Sequence, residues 1–547
     1  MTSGAPTPDP DPTPTPETTP PDAGPTAEAP PAAASAPTAA GPAAGPAPRP
    51  SRRRRLAAGV AAALAVALLV AVAVVVGGAR EADEPLAGEP ATTTPPDDRP
   101  DEPDEPAPPP PGPDEITGVG DPYYPDVGNR GYDVQHYELD LTWHPDAARM
   151  DGRATIAATA TEPLDAFALD AVDLDIASVT VDGEPATAEP VGERDVLVTP
   201  ARPMATGDGF TVEVEWSAVP NAVADTSLVE SGWYADGEEI YAIFEPSGAA
   251  TLFPGNDHPS DKASYDLRVT VPEGLEVAAN GLHVATEPGD GVATWVFEVP
   301  EPMATYLVQV VVADLVLVEG DGPEGVVVRH AFDADIADAL GDTMDLTGEM
   351  IAFFEELFGP YPFEAYGAVV VDEPLGLALE TQTLSIFGTD AADSEMTVAH
   401  ELANQWFGNA VTPATWQDIW LNEGFATYAE LLWREHRGGG SPDDFAEAAA
   451  GQAAALATPP GDPGPDDLFA PSVYDRGALT LHVLRHRIGD DAFFELLRTW
   501  YERYSGRSAS TADFEALAEE VSGRELDELF DAWLRAPQMP SLDEWLD

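Results

Sequence analysis

The sequence contains no cysteine among its 547 residues. That absence excludes disulfide staples, thiol nucleophiles, cysteine-ligated zinc and lipidation on an N-terminal cysteine. Basic side chains are scarce as well: 25 Lys+Arg stand against 98 Asp+Glu, a formal charge of -73, and Lys262 is the single lysine. A body this acidic makes nucleic acid and anionic lipid headgroups poor partners. Wholesale disorder is excluded by the 44% of hydrophobic residues, enough to form a core. The length calls for two folded domains with additional segments.

Proline marks the first boundary, with 28 of the 57 prolines inside residues 1–118. Residues 1–55 are rich in Pro, Ala and Thr, and their five acidic and five basic residues cancel. Such a composition cannot bury enough apolar surface to offset chain entropy, so a disordered tail is expected. Arg52, Arg53, Arg54 and Arg55 then precede residues 56–79, 24 residues without a charge. As a helix that segment spans a hydrocarbon core of about 30 Å, and the arginines place the N-terminus in the cytoplasm. A cleaved signal peptide is the competing reading, but its basic region would be 55 residues long, far beyond the usual short one. The expectation is a single-pass signal anchor in the cell membrane, with the folded domains outside. Residues 80–118 hold 12 acidic residues, two arginines and 12 prolines, the composition of an extended, self-repelling stalk.

From about 121 to 315 the apolar period is two. Tyr137, Leu139, Leu141 and Trp143 alternate with polar residues, as do Phe210, Val212, Val214 and Trp216, and then Leu267, Val269 and Val271. This pattern predicts half-buried antiparallel strands separated by Gly, Pro and Asp turns, forming one β domain over 119–320. After about 325 the period becomes helical. Phe514, Leu517, Ala518 and Val521 follow i, i+3, i+4, i+7 with Gly523 as a stop, and Leu346, Met350, Phe353 and Leu357 repeat the pattern. A mostly α domain over 321–547, with a strand near 368–372, completes an α+β chain without internal repeats.

The sharpest local signal is His400-Glu401-Leu402-Ala403-Asn404, on a helix expected over 395–408, with Glu423 downstream. In a zinc helix of the H-E-x-x-H type, two imidazoles one turn apart face the metal and the Glu faces its water. One large class takes its third ligand from a Glu 18 residues beyond the second His. Residues 405–422 supply that interval, while Asn404 occupies the second ligand position.

Further blocks accompany this one in order: Asp257-His258-Pro259-Ser260-Asp261-Lys262-Ala263, Ala378-Leu379-Glu380-Thr381-Gln382-Thr383, Gln405-Trp406-Phe407-Gly408-Asn409, Trp420-Leu421-Asn422-Glu423-Gly424, and Val473-Tyr474-Asp475-Arg476-Gly477. On these, residues 121–547 resemble the aminopeptidase N family of zinc metallopeptidases (gluzincins) in its short bacterial form. The resemblance implies a saddle-like antiparallel β domain followed by a thermolysin-like catalytic domain. No long helical domain is expected beyond Pro540. It implies one Zn2+ per chain, and peptides with a free N-terminus as partners. His400 and Glu423 match zinc ligands, and Glu401 matches the general base that takes a proton from the zinc-bound water. Tyr474 matches the phenol that stabilises the oxyanion. Glu380 matches a carboxylate that grips the substrate α-amino group. Glu245, in Phe244-Glu245-Pro246 with Ile243 where a glutamine is often found, matches a second.

Asparagine at 404 is shorter than histidine and offers an amide oxygen to a metal that favours nitrogen. Three outcomes follow: weak ligation by Asn404 directly or through water, use of a metal that prefers oxygen, or an empty site on a domain that only binds peptides. His436, His482 and His486 lie in the same domain; His436 is expected at the surface, and His482 and His486 are expected to be structural. Trp406, Phe407, Trp416 and Trp420 are expected in the core. Two functions of different class are thus open, a membrane-anchored aminopeptidase and a catalytically silent peptide-binding surface module. A structural spacer ranks behind both.

Overall fold

The computed structural model describes residues 116–224 and 230–546. The expected tail, the apolar segment 56–79 and nearly all of the stalk lie outside the described residues. Among the described residues no helix is long and apolar enough to cross a membrane.

Period two builds the first domain. In Lys262–Pro272 every second side chain, from Ala263 to Val271, faces inward, as a sheet with one wet face requires. This strand is third in an eight-stranded sheet ordered Leu282–Pro288, Val292–Ala304, Lys262–Pro272, Tyr132–His144, Arg149–Ala160, Gly209–Ala218, Asp175–Val181, Glu184–Pro185. The expected antiparallel pairing holds for every neighbour but one: Tyr132–His144 and Lys262–Pro272 run parallel. The long excursion between these two strands explains the exception, since only a long crossover re-enters a sheet in the same direction. A second sheet of five strands contains Glu230–Asp236 and Glu239–Ile243. Trp143 of the first sheet meets Trp233 of the second edge to face, with centroids 5.8 Å apart, so one core serves both. The chain leaves Ile243 directly into Phe244-Glu245, which carries this domain's contribution to the site.

The sheet of the second domain begins earlier than residue 321, because Leu315–Asp321 pairs with Val327–Asp333. Val327–Asp333, Ala368–Val370 and Ser385–Phe387 are parallel, and Ala378–Leu379 closes the edge antiparallel. The α-helices of this domain among the described residues are α1 (Thr347–Phe358), α2 (Glu395–Ala403), α3 (Trp420–His436), α4 (Pro442–Ala450), α5 (Gly477–Ile488), α6 (Asp490–Tyr504), α7 (Thr511–Ser522) and α8 (Asp527–Phe530). In α1 the buried row is Met350, Ile351, Phe354 and Phe358. Of the expected row Leu346, Met350, Phe353 and Leu357, only Met350 is fully buried and the other three are half-buried beside it. The face is rotated because Trp406 packs edge-on against both Phe354 and Phe358. α7 follows expectation: Ser510 and Asp513 form a capping box, and Gly523 closes the helix at φ 63°, a left-handed position suited to glycine.

Candidate active site

α2 starts at Ser394, whose hydroxyl accepts from the Thr397 backbone N–H at 3.2 Å, a regular N-cap. It ends at Ala403 with Asn404 as its cap, short of the expected 408. Beyond Ala403 the winding tightens, with Gln405 N bonding Leu402 O and Trp406 N bonding Ala403 O, the i→i+3 pattern in which helices often finish. His400 and Asn404 keep their one-turn spacing, since Asn404 N donates to His400 O at 3.0 Å.

α3 lies against α2 and presents two carboxylates to the same imidazole. Glu423 Oε2 is 3.0 Å from His400 Nε2, and Glu430 Oε1 is 2.7 Å from His400 Nδ1. Burial opposes charge on this ring, but the bonds to Glu423 and Glu430 outweigh it and raise its pKa well above the usual value. Glu430 is absent from the sequence reading. Its signal was nonetheless present, because it stands seven residues after Glu423 and so on the same helical face. It holds the imidazole from behind, as a carboxylate does for a histidine that takes a metal.

The other expected residues converge on one cavity of about 340 Å3, lined by Glu245, Glu380, His400, Glu401, Asn404, Glu423 and Tyr474 among others. Carboxylate oxygens of Glu245, Glu380 and Glu423 lie within 4.8 Å of one another, and all three residues are buried. Burial, then the charge of Glu423, push Glu380 up to about 8. Burial likewise drives Glu401 well above the usual carboxylate range, with Glu380 and Glu423 adding to it and His400 opposing. Buried charges require partners, and among these side chains His400 is the one that can carry positive charge. The cavity is therefore short of cations.

Tyr474 lies in a wide helical turn, Ser472–Arg476, that runs into α5. Its ring stacks on His400 at 6.0 Å between centroids. Burial and the surrounding carboxylates hold its phenol well above the usual pKa, so it stays protonated as a donor. Two glycines allow this approach. A Cβ on Gly424 would lie 2.9 Å from the Gly477 backbone, and one on Gly477 would lie 2.9 Å from Gly424 Cα, so α3 and α5 touch only because neither has a side chain. Arg476 fixes the turn from below through five backbone carbonyls, including Trp533 O at 2.8 Å and Ala536 O at 2.7 Å.

Glu380 is held through its backbone. Its carbonyl accepts from Gln405 Nε2 at 3.0 Å and Asn409 Nδ2 at 2.6 Å. Lys262 Nζ reaches across from the β domain to Asn409 O at 2.6 Å and Ala410 O at 3.1 Å. The supporting roles of Gln405, Asn409 and Lys262 lay inside quoted motifs but were not deducible from spacing, since they depend on which loops meet. Trp406, Phe407, Trp416 and Trp420 are buried as expected. His436 stacks on Phe353 at 4.4 Å, and neither it nor His482 nor His486 lines the cavity.

The donor set suits a metal with one nitrogen and two oxygens. His400 Nε2 and Glu423 Oε2 face each other, and Asn404 Oδ1 is buried on the same cavity wall without a hydrogen-bond partner. A buried amide oxygen left so is costly, and ligation would satisfy it.

The Peptidase family M1 domain matches residues 342–533, and the Peptidase M1 N-terminal domain matches 133–307. Aminopeptidase M1-D of Oryza sativa is 28% identical over 447 residues, covering 74% of this chain and 50% of that protein. Human endoplasmic reticulum aminopeptidase 1 is 27% identical over 423 residues, covering 69% of this chain and 44% of that protein. Aminopeptidase N of Streptomyces lividans is 29% identical over 333 residues, 55% of this chain and 38% of that protein. The chain thus spans about half the length, or less, of these curated relatives. The crystal structure of an M1 zinc metallopeptidase from Deinococcus radiodurans superposes with a TM-score of 0.73 at 33% identity, covering 78% of this chain and 99% of that one. A mutant of it was solved with a Tyr-Ser-Ala substrate. With both domains matched in order and a solved relative covered almost end to end, this chain belongs to peptidase family M1, the aminopeptidase N family of zinc metallopeptidases.

Proposed function

We propose that this protein is a zinc aminopeptidase that removes N-terminal residues from peptides. The observation that carries the reading is the convergence of buried carboxylates in a cavity short of cations. Such a cavity is completed by a metal on one side and a substrate ammonium on the other. His400 Nε2, Glu423 and Asn404 Oδ1 would hold zinc, with Glu430 orienting the imidazole. When bound, zinc supplies Lewis-acid polarisation and eases the ionisation of water at the site. Glu245 and Glu380 bind the ammonium of the peptide N-terminus, which an internal peptide bond lacks. Glu401, made more basic by burial, takes the proton from the attacking water and passes it to the leaving amine. The Tyr474 phenol donates to the oxyanion that develops on the scissile carbonyl. Ile243, Leu377 and Leu379 line the same cavity and favour an apolar first side chain. The Deinococcus relative's Tyr-Ser-Ala complex supports a peptide substrate. The Arg cluster and residues 56–79 support a single-pass anchor in the cell membrane, with this domain facing outward.

The test is turnover of aminoacyl-amide substrates by zinc-supplied protein beside a Glu401→Gln variant. Loss of the base is expected to cost about 10²–10⁴ in kcat, and equal rates would defeat the proposal. Asn404 favours a second reading, a peptide-binding module without catalysis. Under that reading, dialysed protein binds N-terminal peptides but retains no zinc equivalent that Glu423→Ala removes.

A further inference from the structure

A second meeting of imidazoles and a carboxylate lies outside the cavity. His482 and His486 stand one turn apart on α5, the spacing that sets two rings on one helix face. From the first turn of α4, Asp443 Oδ1 approaches His482 Nε2 at 3.1 Å and His486 Nε2 at 3.2 Å. The three ligand atoms lie within 4.8 Å of one another. We propose that Asp443, His482 and His486 form a second metal site for a divalent ion of the zinc, cobalt or nickel type.

Several features suit this trio to a metal. His482 is buried while its Nε2 faces Asp443, and its Nδ1 lies 3.3 Å from the Tyr428 hydroxyl. The Tyr428 oxygen can accept from Nδ1–H, and in that tautomer Nε2 presents its lone pair to a metal. Asp443 sits at an N-terminal turn and His486 in the last turn of α5, so the helix dipoles favour the anion at the first and a cation at the second. Arg485, the neighbouring cation, is committed to Asp490 through bonds of 2.9 and 3.0 Å. The trio opens onto a cavity of about 340 Å3 that Glu435 also lines, leaving room for water to complete the coordination. Two imidazoles and one carboxylate match borderline metals better than calcium or magnesium.

This site is built from residues that the proposed catalysis does not use. Tyr428, its outer partner, belongs to α3 between Glu423 and Glu430. A metal here would therefore fasten α4 and α5 to the helix that supplies Glu423 and Glu430 to the cavity.

Metal content decides the matter, with Zn2+ and Co2+ as probes on the full chain after chelator stripping and dialysis. Comparing Glu423→Ala with Glu423→Ala/His486→Ala isolates the α5 site whatever happens at the cavity. The single variant is expected to retain one equivalent that the double variant loses, with affinity at least about tenfold weaker. Asp443→Ala in the same background is expected to match the double variant, and the Co2+ absorption bands should vanish with the ion. His486 is partly exposed, so its truncation leaves the fold intact by circular dichroism. Equal metal content in the single and double variants would overturn the proposal.

Discussion

Two helices of this protein each carry a pair of side chains, one turn apart, that face a carboxylate from a neighbouring helix. On α2 and its cap the pair is His400 and Asn404, with His400 facing Glu423. On α5 it is His482 and His486, facing Asp443. By donor type α5 is the better site for a borderline metal, with two nitrogens and one oxygen against one nitrogen and two oxygens. By every other measure α2 is the chemical site. The residue after its first histidine is Glu401, whereas on α5 it is the buried Val483. Around His400 stand Glu245, Glu380 and Tyr474, while the α5 trio opens onto a cavity that also holds Arg485 and Asp490. On the two proposals made above, affinity for a metal and the capacity to use it are distributed separately: ligands supply the first, while base, oxyanion donor and ammonium-binding carboxylates supply the second.

The largest expected effect beyond loss of the base is at the oxyanion donor. Tyr474→Phe keeps the ring against His400 and removes only the hydroxyl, so kcat should fall by about 10²–10³ with little change in KM. Metal content at both helices should be unchanged. A fall in bound zinc at α2 instead would mean that Tyr474 helps build the metal site, and the separation drawn above would break.

Asn404→His attacks the comparison from the ligand side. A second imidazole on α2 replaces an amide oxygen with a nitrogen zinc prefers, and zinc affinity should rise by about 10–100-fold. Dialysis against a graded zinc chelator reads this directly. Activity measured at saturating zinc would then separate occupancy from chemistry. Unchanged affinity would show that Asn404 is not positioned as a ligand.

Much of this was legible in residue order. Period two marked strands such as Lys262–Pro272 because one face is wet and the other dry. The parallel pairing of Tyr132–His144 with Lys262–Pro272 was not legible, since periodicity is the same for either direction. In α1 the stripe was displaced because a 3.6-residue helix offers adjacent rows, and tertiary partners such as Trp406 choose between them. His400, Glu401 and Glu423 could be named from spacing alone. Glu430 needed only the continuation of one helical face. The α5 trio joins residues 39 and 43 positions apart, and no local pattern shows that α4 will present Asp443 to α5.

Lys262 provides the smallest predicted effect and the sharpest test of how α2 differs from α5. The turn beyond α2 is clamped from the other domain by this ammonium, whereas the α5 trio has no such support among its hydrogen bonds. Burial pushes the Lys262 amine down to about 7 from its ordinary 10.5. Between those values the unfolded chain holds a proton that the folded chain has released. The unfolding free energy therefore rises with pH across that window, and below about 7 the cost of burying the charge is fully present. Lys262→Met retains the aliphatic stem and abolishes the titration. Urea unfolding at pH 7.5 and 9 should show the wild type gaining up to about 1.4 kcal/mol per pH unit relative to the variant. Parallel curves would mean that the ammonium is solvated and the clamp is weak. The variant should also loosen Asn409 and, through it, the Glu380 carbonyl, raising KM for substrates with a free amine while leaving the α5 metal equivalent in place.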